Sequence, residues 1–193
     1  MTLPRDPAKL YPFDHVMKLL VIPLIPRWIT PNQITLLRIM CVPIVAFLLA
    51  AENYNVGIPV FILVAFTDAI DGSLARVRHQ ITAWGTFYDA VADKLLISVA
   101  IIIIVMKHIN PIFGLMMIGM EVALGIGGFI NRKNGMPRAA NVWGKVKMFL
   151  QFLGVTLLML AAWSGSNLFV PFSVGLLSIA LVFAVVSFYT YGL

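Results

Sequence analysis

The chain is written in long apolar runs separated by short polar breaks. The runs extend from about Pro31 to Ala51, Gly57 to Arg76, Trp84 to Lys107, Pro111 to Ile130, Trp143 to Trp163 and Leu168 to Tyr189. Each is close to the ~20 residues an α-helix needs to cross the hydrocarbon of a bilayer. Thr30-Pro31-Asn32 opens the first run with a candidate cap and a proline at the first helical position. The stretch from about Pro12 to Trp28 is too short, and too broken by Pro23 and Pro26, to span. With Lys18 and Arg27 on it, it predicts an interfacial helix whose cations reach toward headgroups. The pattern therefore predicts an all-α polytopic membrane protein with six transmembrane helices and an N-terminal interfacial amphipathic helix. A single domain over 1–193 is expected, with the interfacial segment at 1–29 and the bundle at 30–190.

Composition supports this reading. Of 193 residues 61% are hydrophobic and only 11% charged, too few charges to coat a soluble globule of that size. The net charge of +6 does not call for nucleic acid, because the basic residues gather at span ends, where anionic headgroups account for them. The N-terminal segment, the turn after Arg76 and the stretch Arg132 to Lys147 are rich in Arg and Lys, whereas the opposite side has Lys107 alone. The basic side is expected to be cytoplasmic, in a prokaryote the inner side of the plasma membrane. Cys41 lies in an apolar run, can form no internal disulfide, and reads as a small buried hydrophobe. No cleavable signal peptide is expected, since the first ten residues are polar and mixed in charge.

Against this apolar background the stretch from Asp68 to Asp93 stands out. Asp68 and Asp71 are spaced i, i+3 and Asp89 and Asp93 i, i+4, so on helices each pair shares one face. A turn from Val77 to Ala83 lets the two helices fold back and bring the four carboxylates together. Four such charges cannot all stay ionised at close range in a low-dielectric site without a cation. Hard oxygen ligands of this kind suit Mg²⁺ or Mn²⁺, and four of them suffice for two ions. Arg38, about two turns into the first span, is too expensive to leave unpaired there. Either the aspartates or, by snorkelling, the headgroup interface would partner it.

The pattern Asp68-x2-Asp71-Gly72-x2-Ala75-Arg76-x8-Gly85-x3-Asp89-x3-Asp93 resembles the full signature of the CDP-alcohol phosphatidyltransferases. The likeness extends more loosely to Pro31-Asn32-x2-Thr35 and to the six-span layout. It implies transfer of a phosphatidyl group from CDP-diacylglycerol to an alcohol, with release of CMP. By resemblance Asp68, Asp71 and Asp89 are the main metal ligands. Asp93 matches the residue that takes the acceptor's proton, and the resemblance makes it a metal ligand as well. Gly72 and Ala75 are small where the nucleotide would press against the helix, and Arg76 is placed to fork onto a phosphate. Gly85 would let the two metal-binding helices approach, and Asn32 and Thr35 resemble positions near the nucleotide. The family also implies a homodimer.

A second basic cluster holds Arg132, Lys133, Arg138, Lys145 and Lys147. Gly144-Lys145-Val146-Lys147-x3-Gln151 is similar to a stretch in phosphatidylglycerophosphate synthases. A cationic mouth would favour a small, phosphorylated alcohol over a neutral one, and so sn-glycerol 3-phosphate. Those synthases commonly carry Arg-Glu where this chain has Met120-Glu121, which leaves inositol phosphate, phosphatidylglycerol or serine open. A cation transporter is the remote alternative, but it would need acidic residues spread across several spans.

Overall fold

The computed structural model describes residues 12–26, 28–133 and 142–191. Every regular element among them is helical: α1 (Pro12–Leu20), a 3₁₀ turn (Ile22–Leu24), α2 (Pro31–Ala50), α3 (Tyr54–Val77), α4 (Ala83–Ala100), a π turn (Ile101–Val105), α5 (Met106–His108), α6 (Pro111–Lys133), α7 (Val142–Ser164) and α8 (Phe169–Tyr191). Five of these, α2, α3, α6, α7 and α8, are long and apolar enough to cross a membrane. The exception is α4, which carries Asp89, Asp93 and Lys94 but runs without a break through the π turn into α5. The predicted span from Trp84 to Lys107 is this composite element. Helices of this length and apolarity are those of an integral membrane protein.

The interfacial helix is shorter than the sequence suggests. It ends at Leu20, because Pro23 has no N–H to continue the α pattern and the chain tightens into the 3₁₀ turn. One face packs into the protein and the rest of the helix, among the described residues, is exposed. Asp14 and Met17 are buried, while Val16, Leu19 and Leu20 are exposed. Arg27 lies outside the described residues.

The chain divides into two compact units. The first comprises residues 1–47 and 59–96 and so contains α1, most of α2 and α3, and nearly all of α4. Met17 and Ile22 pack on Leu74 of α3, with Val21, Ile25, Ile34, Ile70 and Val77 around them. This cluster seats α1 on the end of α3. Arg78 fastens the following segment, donating from Nη2 to the Ile25 carbonyl at 2.7 Å and from Nη1 to the Ile29 carbonyl at 2.8 Å. Helix α3 stops by a Schellman motif: His79 takes a left-handed φ of 53°, and the Gln80 N–H donates to the Ala75 carbonyl at 2.9 Å. Thr82 then starts α4, its Oγ1 accepting from the Gly85 N–H at 2.9 Å as an N-cap does.

The second unit comprises residues 48–58 and 97–193. Its most extensive packing is α7 on α8, where Leu158, Met159, Leu177 and Ala180 are buried. Gly154 permits that approach, since a Cβ there would come within 2.8 Å of the Leu177 side chain. Ser173 Oγ donates to the Gly154 carbonyl at 2.8 Å, a hydrogen bond between helices in a region without water. Glu52, left-handed at φ 57°, ends α2 in the way His79 ends α3, and its carboxylate pairs with Lys107.

Candidate active site

The four aspartates converge within the first unit, and the element that gathers them is Arg38. The Arg38 side chain is fully buried. Its Nη1 donates to Asp68 Oδ1 at 2.9 Å, to Asp89 Oδ1 at 3.3 Å and to Asp93 Oδ1 at 2.5 Å. Its Nη2 donates to Asp71 Oδ2 at 2.6 Å, and its Nε to Thr67 Oγ1 at 3.2 Å. Thr67 in turn donates to the Val64 carbonyl at 2.6 Å. The guanidinium is therefore held by α3 and α4 together. Of the two partners open to Arg38 from sequence, the carboxylates are the ones it has, and snorkelling is not observed.

One guanidinium cannot balance four carboxylates. If all are ionised, four negative charges against one positive leave three uncompensated at contact range, a strongly unfavourable state away from bulk water. Asp68, Asp71 and Asp89 each offer an oxygen within 4.8 Å of the others, an arrangement able to hold a metal ion. Asp71 gives the clearest sign. It is 3% exposed, its Oδ2 accepts from Arg38 and from Thr35 Oγ1 at 2.9 Å, and its Oδ1 is buried with no hydrogen-bond partner among the described residues. A buried carboxylate oxygen without a donor is costly, and a cation is the partner its chemistry suits. The residues fit a divalent metal.

Beside this cluster opens a cavity of about 210 Å³. Asn32 and Thr35 of α2 line it, with Asp71, Gly72, Ala75 and Arg76 of α3, Thr82 of the turn, and Gly85, Thr86 and Asp89 of α4. All six residues expected near the CDP-lipid, namely Asn32, Thr35, Gly72, Ala75, Arg76 and Gly85, thus share one wall system with two of the metal-site aspartates. The close approach at Gly85 is to α2 and the preceding turn rather than to α3: a Cβ there would overlap Asn32 Oδ1 and lie 2.9 Å from Thr82 Oγ1, so those side chains would have to move. Gly72 lies under Arg76, whose Nη1 would be 3.5 Å from an added Cβ.

The acceptor-side candidates fall in the second unit. Arg132 and Lys133 form the last turn of α6, with their side chains outside the described residues, and Arg138 is outside them altogether. Lys145 is exposed on α7. Lys147 is 3% exposed and ion-paired with Glu121 of α6, whose Oε1 also accepts from Gln151 Nε2 at 2.9 Å. Glu121 is thus a partnered carboxylate within the span. Among the features not found from sequence is Thr82, although a threonine three residues before a glycine at a helix start is a usable capping signal. Asp14 was also missed. Its partners lie some sixty residues away, and no local pattern points to them.

Comparison with known proteins agrees with the site. Residues 28–187 match the family model for CDP-alcohol phosphatidyltransferase. The chain is 34% identical to the CDP-diacylglycerol--glycerol-3-phosphate 3-phosphatidyltransferase of Bacillus subtilis (strain 168), over 83% of this chain and 92% of that protein. The protein of the same name from Rickettsia felis is 31% identical over 83% of this chain and 92% of its own length. The human cardiolipin synthase (CMP-forming) is 32% identical over 57% of this chain and 37% of that protein. The aspartate signature, its convergence on one point and a match running through most of the chain lead to one conclusion: the protein belongs to the CDP-alcohol phosphatidyltransferase family.

Proposed function

We propose that this enzyme transfers the phosphatidyl group of CDP-diacylglycerol to sn-glycerol 3-phosphate, giving phosphatidylglycerophosphate and CMP. The observation that carries the acceptor is the similarity to relatives bearing that activity in their names, over nine-tenths of their length. The match to residues 28–187 runs through both compact units and supports reading them as one catalytic domain.

In the reaction, the acceptor hydroxyl attacks the phosphorus bonded to the diacylglycerol. The bond from that phosphorus to the bridging oxygen of the pyrophosphate breaks, and CMP leaves with the electron pair. The hydroxyl proton passes to the Asp93 carboxylate. Two divalent ions, Mg²⁺ or Mn²⁺, held by Asp68, Asp71, Asp89 and Asp93, would neutralise the charge developing on the leaving phosphate. Gly72 and Ala75 leave room for the nucleotide, Arg76 holds a phosphate, and Asn32 and Thr35 complete the cavity wall. Lys145 and Lys147, with Arg132, Lys133 and Arg138, serve the acceptor's phosphate. Lys147 is ion-paired with Glu121, so its contact with the phosphate would be made from within that pair.

The positive charge of the loops on one side supports a cytoplasmic site, and the family resemblance supports a homodimer. In a Cys41-free background, cysteine at His79 should label only from the cytoplasm and cysteine at Asn53 only from outside. Labelling from one common side would overturn that orientation. Cross-linking or native mass measurement in detergent tests the dimer, and a strict monomer would exclude it.

The acceptor is tested with purified protein, CDP-diacylglycerol, Mg²⁺ and one alcohol at a time, following CMP release. Glycerol 3-phosphate should give the fastest turnover. Brisk release with serine, inositol phosphate or phosphatidylglycerol and none with glycerol 3-phosphate would refute the acceptor while leaving the family intact.

A further inference from the structure

The N-terminal helix α1 is more than a membrane float, because it brings a buried carboxylate against Arg76, a residue that lines the cavity. Asp14 is 0% exposed. Its Oδ2 accepts from Arg76 Nε at 2.8 Å, and its Oδ1 accepts from Arg76 Nη2 at 2.8 Å and from Ser73 Oγ at 2.7 Å. Two parallel N–H donors on one carboxylate form a fork, the geometry that fixes a guanidinium in plane as well as in position. Met17 and Ile22 bury themselves on Leu74, between Ser73 and Arg76 in sequence, so the helix bearing Asp14 is itself anchored at that point.

Arg76 lines the cavity and is a quarter exposed; its Nε and Nη2 donate to Asp14, and its guanidinium lies over Gly72. The pair carries no net charge. What Asp14 contributes to anion binding is therefore orientation rather than attraction: it removes the rotamer freedom of a long side chain before substrate arrives.

We infer that Asp14 is a positioning residue for the CDP-alcohol, holding Arg76 through a bidentate pair so that its guanidinium meets a phosphate of the bound donor in one fixed geometry. The inference rests on the proposed binding of CDP-diacylglycerol in this cavity and adds to it a component from outside the aspartate signature. It makes α1 part of the donor site.

The test uses full-length protein in mixed micelles with Mg²⁺, measuring equilibrium binding of CDP-diacylglycerol alongside steady-state turnover. Asp14→Asn keeps the size of the side chain but breaks the charged fork. It should raise the donor KM and the donor dissociation constant by about tenfold, with kcat at saturating donor and the acceptor KM within about twofold of wild type. Asp14→Glu should restore about half or more of the lost affinity, which a purely structural defect would not allow. In an Arg76→Lys background, which cannot form the fork, adding Asp14→Asn should cost less than about twofold further. Should Asp14→Asn not fold, Ser73→Ala removes one of the carboxylate's donors and should raise the donor KM by about two- to threefold. Donor affinity unchanged in Asp14→Asn, or lost equally in both backgrounds, overturns the inference alone. Wild-type protein that binds no CDP-diacylglycerol removes the proposed function and this inference together.

Discussion

Arg38 Nη2 meets Asp71 Oδ2 at 2.6 Å, while the other oxygen of that buried carboxylate has no hydrogen-bond partner among the described residues. The two residues show how the site is balanced. Arg38 supplies a resident positive charge that lets four aspartates approach, but one guanidinium neither neutralises nor saturates them. The remaining demand is for a cation.

Removing Arg38 should therefore transfer its share of the balance to the metal. Arg38→Gln leaves the carboxylates without a basic partner, and breaking a buried ion pair on one side costs about 3–5 kcal/mol. The variant should unfold at lower temperature than wild type, and added chelator should lower its Tm by more than it lowers that of wild type. Thermal unfolding in detergent, with and without EDTA, checks this. An identical chelator response in the two proteins would show that Arg38 does not share charge compensation with an ion.

The carboxylates should separate into two classes. Asp68→Asn, Asp71→Asn and Asp89→Asn should each weaken Mn²⁺ binding and reduce turnover together. Asp93→Asn should lower kcat by about 10²-fold or more while sparing metal and donor binding better, as expected for a proton acceptor. Manganese titration by paramagnetic resonance, set beside CMP release, distinguishes the classes. Full activity in excess chelator would exclude the metal-dependent reading.

A side chain at Gly85 would push against Asn32, whose amide would have to move aside. Gly85→Ala should cost about 1–3 kcal/mol through overpacking and reduce donor affinity, since both residues line the cavity. Combining it with Asn32→Ala should recover stability by freeing the space. A double variant no more stable than Gly85→Ala would place the strain elsewhere.

Lys147 and Glu121 should behave as an interdependent pair. Lys147→Met leaves a buried carboxylate unpaired, an effect of about 3–5 kcal/mol, whereas Lys147→Met with Glu121→Gln should recover most of the stability. Acceptor affinity should not recover, because the cation proposed to meet the phosphate is still absent. Unfolding temperature and glycerol 3-phosphate KM, measured on the same three proteins, check both halves. Restored acceptor affinity in the double variant would remove Lys147 from the acceptor site.

Much of this protein was legible in its sequence, and for a physical reason. A bilayer accepts backbone only as helices or closed barrels, so apolar runs of spanning length translate almost directly into elements. The run boundaries agree closely with α2, α3, α6, α7 and α8. The i, i+3 and i, i+4 spacings of Asp68, Asp71, Asp89 and Asp93 placed each pair on a helix face, and a short turn implied their convergence. The stretch expected to be the third span is also helical, as α4 continued through the π turn into α5, but with its three charges α4 is not among the helices long and apolar enough to cross a membrane.

What only the tertiary structure decided were partners distant in sequence. Arg38 had two possible environments, and packing of α2 against α3 and α4 selected the aspartates. Arg76 was expected to face a phosphate, yet its grip by Asp14 depends on how α1 folds back onto Leu74, which no periodicity encodes. Lys147 looked like one cation in a basic cluster until α7 placed it against Glu121. Helix geometry is local and follows from side-chain spacing. The pairing of buried charges is set by the free energy of the whole packed arrangement, and neighbouring residues along the chain carry no record of it.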